Sequence, residues 1–151
     1  MIKIYTDGAS RGNPGPGGFG VVMISGSLRK EISGGFRLTT NNRMELLSVI
    51  EALESLKKDG LEVEVYSDSK YVVDAVEKKW VFKWQKTNFK DKKNPDLWKR
   101  FLLLYPKNKI KFIWIKGHNN HVENEYCDQL AVSAALSKQL PPDEGYEKSI
   151  L

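Results

Sequence analysis

The run Gly12-Asn13-Pro14-Gly15-Pro16-Gly17-Gly18-Phe19-Gly20 passes without a break into Val21-Val22-Met23-Ile24. The residues after the glycines decide the fold. From Gly15 to Gly20 the spelling is G-x-G-x-x-G, the fingerprint of a dinucleotide-binding turn, and it comes after Ile2–Thr6, whose alternation reads as a strand. Such a fingerprint must open a helix, so that a pyrophosphate can rest on free backbone N–H groups. Here the next residues are apolar and β-branched, which indicates a strand. Pro14 and Pro16 also remove two N–H groups that a phosphate cradle would use. No strand–helix–strand unit of about 30 residues comes after it, and no Gly-Lys-Ser/Thr closes the run as a P-loop would require. The run therefore reads as a Gly/Pro turn reversing the chain between antiparallel strands. No nucleotide cofactor is expected.

Outward from this turn, Phe19–Ile24 is the second strand and Lys30–Leu38 the third, with Gly26-Ser27 as the hairpin turn between them. The period then changes. Leu46, Val49, Ile50, Leu53 and Leu56 recur at helical spacing over Asn42–Lys58, and Gly60 is a natural stop. Glu62–Ser67 alternates again and Ser69–Lys79 returns to helix. Pro95 opens a helix through Leu97–Leu104, Lys109–Lys116 is a fifth strand, and Val122–Ser137 is a final Ala-rich helix. Three consecutive strands, then helix–strand–helix–strand–helix, give an α/β domain: one five-stranded mixed sheet flanked by helices. The domain is expected over residues 1–137. The segment 138–151, with Pro141-Pro142 and scattered charges, is expected to be a flexible tail.

The 151 residues, 40% apolar and 28% charged, suffice for one domain with a full core. No apolar run nears the about 20 residues of a membrane span. The opening Met-Ile-Lys-Ile lacks a secretory pattern, and the single Cys127 suits a reducing compartment. A cytoplasmic, membrane-free monomer is expected. The formal charge of +5 is concentrated: Glu77–Arg100 holds nine Lys/Arg and three acids, while the rest of the chain sums to −1. That is a local cationic patch interleaved with aromatics. Its lysines can neutralise phosphates and its rings can pack on sugars. Alternatively, Trp80, Trp84 and Trp98 are core anchors beside a solvated lysine face. Both are expected in part, with some rings buried and most lysines outside.

Asp7 and Asp68 share a setting. In Ile4-Tyr5-Thr6-Asp7-Gly8 and Val65-Tyr66-Ser67-Asp68-Ser69 an alternating strand ends in a hydroxyl residue and releases a carboxylate. If the two strands are parallel neighbours, the carboxylates converge at one sheet edge. Glu45 lies in the first part of the long helix, and Asp128 lies early in the last. Singly, each has a bland reading as a turn, cap or helix-dipole residue. Gathered together, they would repel by about 4 kcal/mol per pair at 4 Å and an effective dielectric near 20. Divalent cations relieve that repulsion, and oxygen-only ligands favour Mg²⁺ or Mn²⁺. A zinc site through His118, His121 and Cys127 lacks a fourth ligand at finger-like spacing.

The chain resembles type 1 ribonuclease H. The resemblance is carried by Thr6-Asp7-Gly8-Ala9 with the glycine run, Thr39-Thr40-Asn41-Asn42-Arg43-Met44-Glu45-Leu46, Ser67-Asp68-Ser69, Trp114-Ile115-Lys116-Gly117-His118, and Glu123 through Ala131. These five motifs occur in family order across residues 1 to 137. The resemblance implies a ribonuclease H-like fold, three antiparallel strands with parallel additions. It implies an endonuclease that cuts the RNA strand of RNA–DNA hybrids with two Mg²⁺ ions, Mn²⁺ substituting, held by Asp7, Glu45, Asp68 and Asp128. His118 matches the family's loop histidine, which moves a proton or helps release product.

Substrate contacts implied by the resemblance are Ser10, Asn13, Asn41 and Asn42 toward the minor groove, and Thr40 and Asn94 toward a phosphate of the DNA strand. Trp80, Trp84, Lys86, Phe89 and Lys90 fall on the family's basic protrusion. Lys70 stands where relatives carry Gln, Asn120 and Val122 replace a Gly and a Pro in the histidine loop, and the protrusion is short between Phe89 and Asn94. A DNA-cutting nuclease of the same fold and a non-catalytic binding module are the competing readings. The hybrid-recognition motifs oppose the first, and the complete acid set opposes the second.

Overall fold

Strand β1 (Ile2–Ser10) pairs antiparallel with β2 (Gly15–Ser25), which pairs antiparallel with β3 (Leu28–Thr39). On its other edge β1 takes β4 (Glu62–Ser67) as a parallel neighbour, and β5 (Lys109–Trp114) adds parallel to β4. The sheet order is β3-β2-β1-β4-β5, the mixed five-stranded sheet expected from the sequence. The helices are α1 (Asn41–Glu54), α2 (Lys70–Glu77), α3 (Trp80–Lys86), α4 (Pro95–Leu104), α5 (Val122–Ala135) and α6 (Glu144–Ser149). This computed structural model describes residues 1–117 and 121–151.

Only the first part of the glycine run turns the chain. Reversal occurs at Arg11–Pro14, where Gly12 has a φ of 87° and the Arg11 N–H reaches the Pro16 carbonyl at 2.7 Å. Gly15 to Gly20 already belong to β2, with Gly20 opposite Asp7 and Gly18 opposite Ala9. Their missing side chains serve close packing. A Cβ on Gly18 would collide with the Ala131 carbonyl oxygen, and one on Gly20 with that of Cys127. α5 therefore lies directly on β2, its small residues meeting a bare strip of strand. Phe19, between those glycines, points to the opposite face and is buried in the main core.

That core lies between the sheet and helices α1, α2 and α4. Ile4, Val21, Met44, Leu46, Ile50, Val65, Trp98 and Phe101 are fully buried in it, each aliphatic contributing about 1.5–3 kcal/mol. Trp98 meets Phe101 and Trp84 edge-on at centroid distances of 5.6 and 5.9 Å. α1 stops at Glu54, four residues short of the expected Lys58. The Ser55 hydroxyl donates to the Ala52 carbonyl at 2.7 Å, competing with the next helical bond. α3 carries no legible apolar stripe, since Val81 is its one buried residue. Aromatic packing of Phe82 and Trp84, not periodicity, holds it.

The segment 138–151 also differs from expectation, because a buried arginine anchors it. Arg43 donates from Nε and Nη2 to Asp143, both at 2.9 Å, and from Nη1 and Nη2 to Asp96, both at 2.8 Å. Thr39 Oγ1 adds a bond to Asp143 at 2.7 Å. Burial works against the Arg43 charge, but the bonds to Asp96 and Asp143 outweigh it and hold the guanidinium above its ordinary range. Asp143 in turn caps α6 by accepting from the Tyr146 N–H at 3.2 Å. Nothing local in Pro141-Pro142-Asp143 announces this partner, which lies 100 residues earlier.

Candidate active site

The site forms where two strands part. Parallel pairing of β1 with β4 ends at Tyr5 and Tyr66, although β1 continues beside β2 as far as Ser10. Asp7 flanks the resulting gap from within β1, while Asp68 flanks it just after β4. In sheets of this kind a crevice opens at the carboxyl ends of strands where the order of connection reverses, and ligands bind there. Asp7 is 5% exposed and accepts from the Gly8 N–H at 3.0 Å. Asp68 is held through its backbone: its carbonyl accepts from Trp114 Nε1 at 3.1 Å, and the Ser67 hydroxyl takes the Ser69 N–H at 3.0 Å. Gly117 lies against the Asp68 carboxylate, so a Cβ there would stand 2.8 Å from Oδ2.

Glu45 arrives from α1, and Gly8 lets it in. A Cβ on Gly8 would collide with the backbone of Met44 and Glu45. With hydrogen there instead, α1 descends onto β1 and delivers the Glu45 side chain to the gap. Thr40 starts the helix, its Oγ1 accepting from the Arg43 N–H at 3.2 Å. Asp7, Glu45 and Asp68 each bring one carboxylate oxygen within 4.8 Å of the others. Glu45 Oε1 is buried without a hydrogen-bond partner among the described residues.

Three carboxylates in one crevice do not ionise freely. Burial pushes the Asp7 carboxyl up to about 8, reinforced by the Asp68 charge and by Asp128 beside it, against a bond from Glu45 that lowers it. Burial also raises Glu45, followed by the charges of Asp7 and Asp68. Asp128, on α5, borders Asp7 without joining the tight set of three. A stranded buried oxygen beside carboxyls that resist ionisation fits a cation-binding cluster. The His118 assignment lies outside the described residues.

The residues expected at the minor groove are tied together. Asn41 Oδ1 accepts from both the backbone and the hydroxyl of Ser10, at 2.7 and 3.0 Å, while the Asn41 N–H donates to Asn13 Oδ1 at 3.1 Å. The chain reversal after β1 is thereby locked to the start of α1, with Asn42 exposed next to it. Asn94 adopts a left-handed conformation, φ 61°, and donates to the Tyr71 hydroxyl at 3.1 Å. Sequence patterning gave Tyr71, Arg43, Asp96 and Trp114 no functional part. Their roles are contacts between distant segments, which no spacing reveals.

The basic segment divides into a packed and a presented part. Phe89 was expected to offer its ring to substrate, but it is 5% exposed and packs in the core. The turn after α3 folds inward there, with the Phe89 N–H bonded to the Trp84 carbonyl at 2.8 Å. Trp84 is half-buried against Trp98 with Lys92 Nζ 5.2 Å above its ring. Trp80 is 41% exposed beneath Lys78, and Lys86 and Lys90 are solvent-facing. Lys70 sits 4.8 Å over the Trp114 ring, beside the acidic crevice.

An acidic cluster at the split of a β3-β2-β1-β4-β5 sheet defines the class: a nuclease of ribonuclease H-like fold. The RNase H family model matches residues 1–136. The chain is 52% identical to a ribonuclease H of Trichodesmium erythraeum over 151 residues, covering 97% of this chain and 96% of that one. Its structure resembles that of LC9-RNase H1, a type 1 RNase H with the type 2 active-site motif, at TM-score 0.81 and 33% identity, covering 98% of this chain and 79% of that one. LC11-RNase H1, solved in complex with an RNA/DNA hybrid, gives TM-score 0.63 and 30% identity over 89% of this chain and 96% of that one. The chain belongs to the ribonuclease H family, type 1.

Proposed function

We propose that this ribonuclease H hydrolyses the RNA strand of RNA–DNA hybrids as an endonuclease, leaving 5′-phosphate and 3′-hydroxyl ends. The observation that carries the reading is the convergence of Asp7, Glu45 and Asp68 around a buried oxygen with no partner among the described residues. Those three residues and Asp128 would hold divalent cations, two Mg²⁺ with Mn²⁺ able to substitute. Bound there, the ions supply a low-pKa water nucleophile and stabilise the leaving oxygen. The residues of the chain itself supply position and selectivity. Ser10, Asn13, Asn41 and Asn42 form a prearranged polar edge suited to a shallow minor groove, where the 2′-hydroxyl distinguishes RNA from DNA. Thr40 and Asn94 face a phosphate of the DNA strand, and His118 moves the proton. Support from relatives comes through LC11-RNase H1, whose structure contains a hybrid.

The basic segment holds the duplex. Trp80 and Trp84 lie along sugars and Lys86 and Lys90 neutralise phosphates, while Lys70, outside that segment, stands at a minor-groove position of relatives. No helix among the described residues is long and apolar enough to cross a membrane. We take the protein to act as a cytoplasmic monomer.

Two measurements test this. End-labelled RNA–DNA, RNA–RNA and DNA–DNA duplexes are incubated with Mg²⁺ or EDTA. Cleavage is expected only in the RNA strand of the hybrid and only with metal; equal cutting of duplex DNA, or activity surviving EDTA, overturns the reading. Second, changing Lys86, Lys90, Lys92 and Lys93 to Gln should flatten the salt dependence of hybrid binding. The slope of log K against log salt should fall by about 0.9 for each phosphate that is no longer neutralised. An unchanged slope means these lysines only face solvent.

A further inference from the structure

Of the three converging carboxylates, Asp7 sits within β1 and Glu45 within α1, where regular backbone bonding continues before and after them. Asp68 sits in neither a strand nor a helix. The last bond between β4 and β5 runs from the Ile115 N–H to the Ser67 carbonyl at 2.9 Å, one residue before it. The first bonds of α2 go to Ser69, one residue after it. There the Val73 N–H reaches the Ser69 carbonyl at 3.0 Å and the Val72 N–H reaches its hydroxyl at 3.3 Å. The Asp68 carbonyl therefore has no donor in either element. Among the described residues its one donor is Trp114 Nε1, at 3.1 Å.

Burial does not explain Trp114. It ends β5 opposite Ser67 and leaves 43% of its surface to solvent, a poor use of a large ring for packing. The Lys70 ammonium, at the start of α2, stands 4.8 Å over that ring and opposes its rotation. Gly117, three residues further on, lies against the Asp68 carboxylate, where a Cβ would be 2.8 Å from Oδ2. The segment leaving β5 thus grips Asp68 at both its carbonyl and its carboxylate. We infer that Trp114 is a positioning residue: its indole N–H sets the Asp68 peptide so that the carboxylate meets Asp7 and Glu45 before a cation arrives. The inference rests on the cation-binding reading above. Without this bond, repulsion from the other two acids turns Asp68 outward, because its peptide is held by neither strand nor helix. A cation must then draw it back, and that reorganisation lowers affinity. Trp114 touches neither cation nor duplex; it acts through Asp68.

The test compares wild type, Trp114→Phe and a protein with benzothienylalanine in place of Trp114. In that analogue sulfur replaces the indole N–H and the ring is otherwise kept. Mn²⁺ binding to the free protein is followed by electron paramagnetic resonance, without hybrid. Loss of the N–H should weaken Mn²⁺ binding about tenfold in the analogue, as for other bonds that orient a metal ligand, and at least as much in Trp114→Phe. The Mg²⁺ concentration giving half-maximal cleavage by the analogue should rise by the same factor, while its KM for hybrid stays at the wild-type value. If the analogue binds Mn²⁺ like wild type and only Trp114→Phe is weaker, the ring merely packs and the inference is wrong. It is equally wrong if the analogue melts lower without metal yet keeps its Mn²⁺ affinity, because the bond then stabilises only the fold. A wild-type protein that binds no Mn²⁺ overturns the cation-binding reading itself, a failure visible before any variant is compared.

Discussion

Asp7→Asn should abolish cleavage and raise the stability of the metal-free protein. The loss of activity comes from removing the most central of the converging carboxylates, with kcat expected to fall by at least about 10³-fold. Hybrid binding measured in Ca²⁺ should persist, because all but Ser10 of the residues proposed to hold the duplex lie outside β1. The gain in stability comes from linkage. In the folded protein the Asp7 carboxyl is pushed up to about 8, while in the unfolded chain it titrates near about 4. Between those values the folded state holds a proton that the unfolded state has released, so stability falls as pH rises through this window. The penalty is absent below about pH 4 and complete above about pH 8.

Asparagine carries no such penalty. The variant should therefore match wild type below about pH 4 and melt progressively higher as pH rises to about 8, where the rise from about 4 to about 8 caps the gain at about 5 kcal/mol. Added Mg²⁺ or Mn²⁺ should raise the melting temperature of wild type more than that of the variant. Retained activity, or a stability difference independent of pH, would remove Asp7 from the cluster.

Gly8→Ala is the second large effect, and it separates site geometry from chemistry. No acid is touched, yet the added methyl would occupy the place of the Met44–Glu45 backbone. Backbone cannot swing aside as a side-chain end can, so α1 must lift from β1 and take Glu45 with it. Displacements of about 1 Å at such a site typically lower rates by about 10²-fold. Overpacking adds a destabilisation of about 1–3 kcal/mol. The expected result is a cooperative but lower melt, with kcat reduced at least about 100-fold. Melting temperature and single-turnover rate measured on the same preparation check it. A variant with normal kcat would mean that the contact between β1 and α1 does not set the position of Glu45.

Much of this was legible in the chain. Alternation marked β1 and β4, an apolar β-branched run marked β2, and Glu62–Ser67 agrees with β4 to the residue. The change from period 2 to period 3.6 at Asn42 located α1. The parallel settings of Asp7 and Asp68 suggested convergence before any coordinates, because strands ending in the same pattern can share an edge. The features that escaped were made by contact across the chain. Arg43 stood inside a recognised motif without an assigned partner, since Asp96 and Asp143 lie 53 and 100 residues away. Phe89 looked like a substrate-facing aromatic because an aromatic among lysines reads the same whether its ring points in or out.

The sequence alone determined the alternation and periods that build a mixed sheet with flanking helices, and the order in which four acids enter it. Those are local properties, set by side-chain polarity and backbone preference at each position. Only the tertiary structure decided what the glycine run is for. Its first residues, Gly12 to Pro14, make the turn that their composition suggests, while Gly18 and Gly20 form a bare track in β2 on which α5 rests. It also decided that the C-terminal segment is anchored, through a guanidinium that satisfies two distant carboxylates. A missing side chain or a buried charge has no meaning until something packs against it, and what packs there is fixed by the fold as a whole.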